Sequence, residues 1–173
     1  MTAKITIIQE DITALGVDAI VNASNNQLSD GAGVNGAIHR AAGPELLVEC
    51  LTLNGCATGE AKITKGYQLP AKHVIHTVGP VWHGGGENEA KLLADCYRNC
   101  LKIAAANDIR SIAFPAISCG IFGYPVQEGC NIAMQVVGEE SAKYEQLRKV
   151  IFCAFDENIY QAYVTAMQSL QLH

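Results

Sequence analysis

The sequence contains no run of Lys or Arg, no stretch of about 18 apolar residues, and no C-x-x-C pair. Each absence removes a class of function. With 12 basic against 17 acidic residues the net charge is −5. A long groove that binds nucleic acid by neutralising phosphates is therefore not expected. The lack of a long apolar run excludes a helical membrane span, and no membrane partner is expected. Seven scattered cysteines, without a second pair or a nearby His cluster, do not form a zinc site. They read as reduced thiols of a cytoplasmic protein. No signal peptide precedes the first apolar run. There is no internal repeat, low-complexity tract or linker, and no G-x-x-x-x-G-K-[ST] loop.

What is present is an ordered chain. Hydrophobic residues make up 49% and charged residues 17% of 173 positions. That composition suits one domain with a substantial core, so residues 1–173 read as a single domain. The most informative stretch is Asn22 to Gly43. A short apolar run, Asp18 to Val21, reads as a buried strand. It leads through side-chain amides and glycines into a helical segment at Val34–Ala42. Glycines permit positive φ and close approach of backbone to a ligand. A new helix start offers unpaired N–H groups and the positive end of a dipole. Asn22, Asn25, Asn26 and Asn35 surround this cradle, and amides both donate and accept, as sugar hydroxyls require. The stretch points to a phosphorylated sugar or a nucleotide.

Elsewhere strands alternate with helices. Strands are expected at 4–8, 18–22, 60–64, 73–78, 109–115 and 150–154. Helices are expected at 34–42, 44–53, 88–107, 125–141 and 157–170. The alternation predicts an α/β layered fold with a mostly parallel sheet, in which ligands sit beyond the carboxyl ends of the strands. Loops 9–13, 22–36, 116–125 and 155–158 each follow a strand and can converge on one crevice.

Several side chains carry two readings. Asp11 is either a hydrogen-bond acceptor for a base amine or a helix N-cap. Tyr124 either packs on a sugar or covers the core. Cys119 and Ser118 lie in the second glycine loop without a partnered base, so the loop's N–H groups are the expected binding groups. His39 reads as a core histidine, and His73 and His76 flank a strand without metal-site company. Gly31 to Gly36 matches G-x-G-x-x-G as letters only, because the acidic residue expected after the next strand is not evident.

Taken together, V-D-A-I-V-N-A-S-N, G-A-G-V-N-G-A-I-H-R-A-A-G-P, C-A-T-G-E-A-K-I-T, H-V-I-H-T-V-G-P-V-W and F-P-A-I-S-C-G-I-F-G-Y-P resemble a macrodomain of the MacroD type, in order and spacing, over nearly the whole chain. The resemblance implies a three-layer α/β/α sandwich with a mixed, mostly parallel central sheet. It implies binding of ADP-ribose, or of an ADP-ribosylated protein, without a metal or other cofactor; a monomer is expected. It also implies hydrolysis of O-acetyl-ADP-ribose or of mono-ADP-ribose on acidic side chains. Carried over by position, Asp11 and Ile12 meet adenine, with Phe155 against it. Gly33 and Val34 face the diphosphate from one side, and Ser118, Cys119, Gly120, Ile121 and Phe122 from the other. Asn25 holds the distal ribose, and Tyr124 lies beside it.

Two positions depart from the family pattern. Ala32 stands where glycine is usual, a cost if φ there is positive. Asn35 stands where hydrolytic members carry Asp. An amide can hold a water but cannot take its proton, and loss of a general base typically costs about 10²–10⁴-fold. Asn25 and Asn35 are therefore the expected catalytic positions, with non-catalytic binding of ADP-ribose as the alternative function. A third reading, an RNA-linked regulator, finds no support in the net charge.

Overall fold

The computed structural model describes residues 3–171. Six strands form one sheet: β1 (Lys4–Gln9), β2 (Ala19–Ala23), β3 (Ala61–Lys65), β4 (His73–Thr77), β5 (Ser111–Phe114) and β6 (Lys149–Ala154). Their order across the sheet is β1-β6-β5-β2-β4-β3. All neighbours are parallel except β3, which runs antiparallel to β4. Five helices complete the fold: α1 (Gly33–Ala42), α2 (Pro44–Leu51), α3 (Glu89–Ala106), α4 (Val126–Ser141) and α5 (Glu157–Gln171). A short 3-10 turn, Ile12–Ala14, follows β1.

The strands are apolar on both faces, as a sheet covered twice requires. Successive side chains alternate between two cores. Ala19, Val21, Ile75, Ile112, Phe114, Val150 and Phe152 pack into the core that includes α3, α4 and α5 residues. Ile20, Val74, Ala113, Ile151 and Cys153 face the core shared with α1 and α2. The architecture is thus a three-layer α/β/α sandwich with a mixed sheet. The two cores differ in kind. The first carries a line of rings, Tyr97 to Phe114 to Phe152 to Tyr163, with centroids 5.2, 6.0 and 4.9 Å apart. The second is built from aliphatic side chains and cysteines. Six of the seven cysteines are buried and Cys119 is partly so. Burial raises the thiols, Cys50, Cys96, Cys119 and Cys153 to about 11 and Cys130 to about 12.

Two ties fix the ends of the sheet. At the amino ends, Asp18 accepts the N–H groups of Arg110 (2.9 Å) and Ser111 (3.2 Å), holding the starts of β2 and β5 together. At the carboxyl end of β4, the chain passes through Gly79 and a glycine loop at 84–86 into α3. Glu89 folds this loop. Its carboxylate, almost fully buried, accepts the N–H groups of His83 (2.8 Å), Gly85 (3.0 Å) and Glu87. Burial alone would raise its pKa, but those bonds and its own N–H outweigh burial and hold it down at about 2. The loop so folded presents the Trp82 N–H to the Phe122 carbonyl at 2.8 Å, and the Trp82 ring lies 4.8 Å from that of Tyr124.

A carboxyl group with a depressed folded-state pKa stabilises the fold above its ordinary value of 4.5 and loses that contribution as pH falls toward about 2. Glu89→Gln should therefore melt below the parent chain at neutral pH. The gap should narrow on acidification through that window, as read by thermal melts at a series of pH values.

Candidate functional site

The parallel strands bring their carboxyl ends to one edge, and there a cleft of about 840 Å³ opens. That volume suits a nucleotide-sized ligand. Residues at the ends of β1 (Gln9 to Ile12), β2 (Ala23 to Asn25, then Gly31 to Asn35), β5 (Pro115, Ala116, Ser118 and Gly120 to Phe122) and β6 (Cys153 and Phe155) line it. The four loops singled out by sequence thus meet in one place.

One wall is the start of α1. Its N-cap, Ala32, has no side chain able to cap, and the N–H groups of Gly33, Val34 and Asn35 have no partner among the described residues. Uncapped N–H groups at a helix start are an anion site in waiting. The positive φ lies at Gly33 (62°), whereas Ala32 is extended at −99°. The alanine therefore carries no backbone strain, and its methyl simply joins the cleft wall. The obligatory glycine is Gly36. A Cβ there would run into the Gly31 carbonyl oxygen, which packs against the helix.

The facing wall is the loop after β5. Its shape is set by three internal bonds: Cys119 N–H to Ala116 carbonyl, Gly123 N–H to Gly120 carbonyl and Tyr124 N–H to Ser118 carbonyl. Ser118 takes a positive φ of 65° and Gly123 one of 75°. The Ile117 N–H donates to the Tyr97 hydroxyl at 3.3 Å, which fastens the loop to the aromatic core. The N–H groups of Ser118, Gly120, Ile121 and Phe122 remain without partners among the described residues. Ile121, 80% exposed, stands on the rim.

Two sequence expectations are corrected here. The Cys119 N–H is occupied within the turn, and its sulfur packs toward Gly129 rather than into the cleft. Tyr124 is buried against Trp82 and lies outside the cleft lining, so its core-covering reading holds. Both follow from the same cause: the turn that frees the N–H groups of residues 120–122 rotates its flanks inward.

At the β1 end, Asp11 takes the N-cap role weighed for it. Its Oδ1 caps the 3-10 turn, accepting from the Thr13 N–H (3.0 Å) and hydroxyl (2.7 Å). Its Oδ2 has no partner among the described residues, and the exposed side chain lies at the cleft. Ile12 is buried beside it, and Phe155, 72% exposed, follows directly on β6 and lines the same cleft.

At the opposite end the amides sort themselves. Asn25 Oδ1 accepts the Ser29 N–H (3.0 Å) and hydroxyl (3.2 Å), and its Nδ2 donates to the Ser29 carbonyl (3.1 Å). Asn35 Nδ2 donates to the same carbonyl (2.9 Å), and its Oδ1 accepts from Asn22 (2.8 Å). Asn26 turns away to the Cys56 carbonyl and Thr58. Asn22 is buried behind the cleft. Asp30 bonds the Gly31 N–H, is exposed, and does not line the cleft. The carboxylates that do line it, Glu10 and Asp11, sit at the β1 end. Among the described residues no three His, Cys, Asp or Glu side chains gather as a metal site. Sequence reading passed over Ser29, which organises both amides, and Ser24, whose buried hydroxyl lacks a partner at the cleft wall. Neither position carries a spacing or composition signal.

Gly36→Ala should cost about 1–3 kcal/mol in a urea melt, because the added methyl displaces the loop that supports the cleft. Ala32→Gly should change stability by no more than about 1 kcal/mol, since the position is neither strained nor inside the helix.

Comparison with known proteins agrees with this geometry. The profile of the Macro domain matches residues 21–133. Macro domain-containing protein mll7730 of Mesorhizobium japonicum is 58% identical, over 97% of this chain and 96% of its own length. A protein of Salmonella newport named O-acetyl-ADP-ribose deacetylase is 52% identical, over 94% and 93%. Among solved structures, the Oceanobacillus iheyensis macrodomain with ADP superimposes with a TM-score of 0.90 at 41% identity, covering 95% of this chain and 90% of that one. The Trypanosoma brucei macrodomain in complex with ADP-ribose gives 0.89 at 43%, covering 94% and 68%. The chain is thus alike, along nearly its full length, to relatives whose structures superimpose closely on it, and the protein belongs to the Macro domain family.

Proposed function

We propose that the chain binds ADP-ribose in this cleft and hydrolyses ADP-ribosyl esters slowly. The observation that carries the reading is the pair of facing backbone walls. Gly33 and Val34 on one side, and Ser118 with Gly120 to Phe122 on the other, offer unpaired N–H groups across one cleft. Such groups hold a diphosphate without net positive charge on the protein, consistent with a chain of net charge −5. The ends of the cleft differ in chemistry. The free Asp11 oxygen, Ile12 and the Phe155 ring suit a flat base with an exocyclic amine. Asn25 and Asn35 suit ribose hydroxyls. The deacetylase name of the Salmonella newport relative supports an ester of the distal ribose as substrate.

In this reading water adds to the acyl carbon, or to the anomeric carbon of a ribosylated Asp or Glu. The ester C–O bond breaks, and ADP-ribose and the carboxylic acid leave. Among the described residues no carboxylate lines the cleft at the Asn25 end, so the proton from water passes to a diphosphate oxygen of the substrate. The protein's contribution is positioning, which by itself accelerates a reaction substantially. The same missing carboxylate favours a second reading, binding without turnover.

Release of ADP-ribose from O-acetyl-ADP-ribose separates the two. Hydrolysis by the parent chain within about tenfold of Asn35→Asp supports a substrate-borne base. A parent chain at background with a variant faster by about 10²–10⁴ establishes the binding module. Asp11→Ala should weaken ADP-ribose binding by about 1–3 kcal/mol in calorimetry, through loss of a charge-assisted bond to the base. Unchanged affinity would remove Asp11 from the base-binding role.

A further inference from the structure

A line of buried polar groups runs from the cleft into the sheet, and its donor directions are fixed from one end. The Ser29 carbonyl can only accept. Asn25 Nδ2 lies 3.1 Å and Asn35 Nδ2 2.9 Å from it, so both amides are oriented. Asn35 Oδ1 then faces inward. The Asn22 atom 2.8 Å away must be its nitrogen, because two amide oxygens would repel. That same nitrogen lies 3.1 Å from His76 Nδ1 on the neighbouring strand. Nδ1 must therefore accept, and the ring proton sits on Nε2. Nε2 is 2.9 Å from the Thr64 hydroxyl and 3.7 Å from Cys50 Sγ. The Thr64 hydroxyl passes its own proton to the Lys65 carbonyl at 3.1 Å. The arrangement needs a neutral ring, and His76 is neutral: burial, then the nearby His39, press it down to about 3. The arrangement also leaves Asn22 Oδ1 buried without a partner. A fold optimised only for stability would not leave that acceptor open.

We propose that His76 is a positioning residue of the cleft. Held as the Nε2–H tautomer with Thr64, it anchors the inner end of the line, so that Asn22 and Asn35 stay aligned on the Ser29 carbonyl that Asn25 shares at the ribose end. Residue 35 is in this chain a crosspiece between β2 and the loop bearing Ser29, and the ring that supports it through Asn22 lies one strand away, outside the cleft lining. The proposal rests on the reading of the cleft as an ADP-ribose site with its distal ribose at Asn25. The effect of His76 falls mainly at that end, because the loop after β5 is fastened separately to Tyr97 and the start of α1 also packs on the Gly31 carbonyl.

The test uses nitrogen-15 NMR of the imidazole together with calorimetry against ADP-ribose and ADP. The spectrum of the unmodified chain should show Nδ1 bare and Nε2 protonated. His76→Leu should lower ADP-ribose affinity by about tenfold while ADP, which lacks the distal ribose, stays within about twofold. His76→Asn, which keeps an acceptor near the Nδ1 position, should recover most of the loss. Thr64→Val provides a gentler break should the leucine variant fail to fold, with the same selective loss expected. The proposal is overturned by a proton on Nδ1, by equal losses for both nucleotides, or by unchanged ADP-ribose affinity in the variants. An unmodified chain that binds neither nucleotide overturns the ADP-ribose reading itself, whereas normal binding with the opposite tautomer overturns the inference alone.

Discussion

Five parallel strands must end on the same edge of the sheet, and nearly everything about this molecule follows from that constraint. Backbone groups at the ends of parallel strands and the starts of the helices after them lack regular partners. Here the chain resolves the problem unequally. At the amino edge Asp18 satisfies the exposed N–H groups of Arg110 and Ser111. At the carboxyl edge no side chain among the described residues takes the first N–H groups of α1 or those of Gly120 to Phe122. The carboxyl edge is left polar, concave and unfilled, and it is the place where an anion can complete the hydrogen bonding.

The glycine loops do not hold their shape by themselves. Each is braced from behind by a buried group. The first leans its Gly31 carbonyl on Gly36 of α1. The second hangs from the Tyr97 hydroxyl on one flank and from the Trp82 N–H on the other. Trp82 in turn depends on the loop that Glu89 folds. A cleft made of backbone is thereby braced by groups packed behind it, among them the Tyr97 hydroxyl and the Glu89 carboxylate, which limits the ordering a ligand must impose when it binds.

Much of this was legible in the sequence. The double-sided burial of Ile20–Val21, Val74–Ile75 and Ile112–Ala113 shows as continuous apolar runs. The glycine and proline positions mark where each strand hands over to a helix. Strand limits moved by a residue or two: β5 begins at Ser111 rather than Ile109, because Asp18 takes the N–H groups of Arg110 and Ser111. What could not be read was the direction in which side chains turn at the site. Asn22, Asn25, Asn26 and Asn35 look alike as letters, yet one is interior, one points elsewhere and two converge on Ser29. Tyr124 and Cys119 rotated inward for a reason that resides in backbone bonds between residues 116 and 124. His76 showed only as a polar residue in a strand. Its significance depends on Asn22 across the sheet, 54 positions away in sequence.

The cysteines carry a practical consequence. With six thiols buried and the seventh partly covered, and with five of them raised to about 11 or 12, the chain holds almost no thiolate at neutral pH. Electrophilic dyes and spin labels would find the native surface nearly silent. A single cysteine introduced on the rim, for instance in place of Ile121, would then be modified selectively, giving a reporter of cleft occupancy without removing any of the natural cysteines.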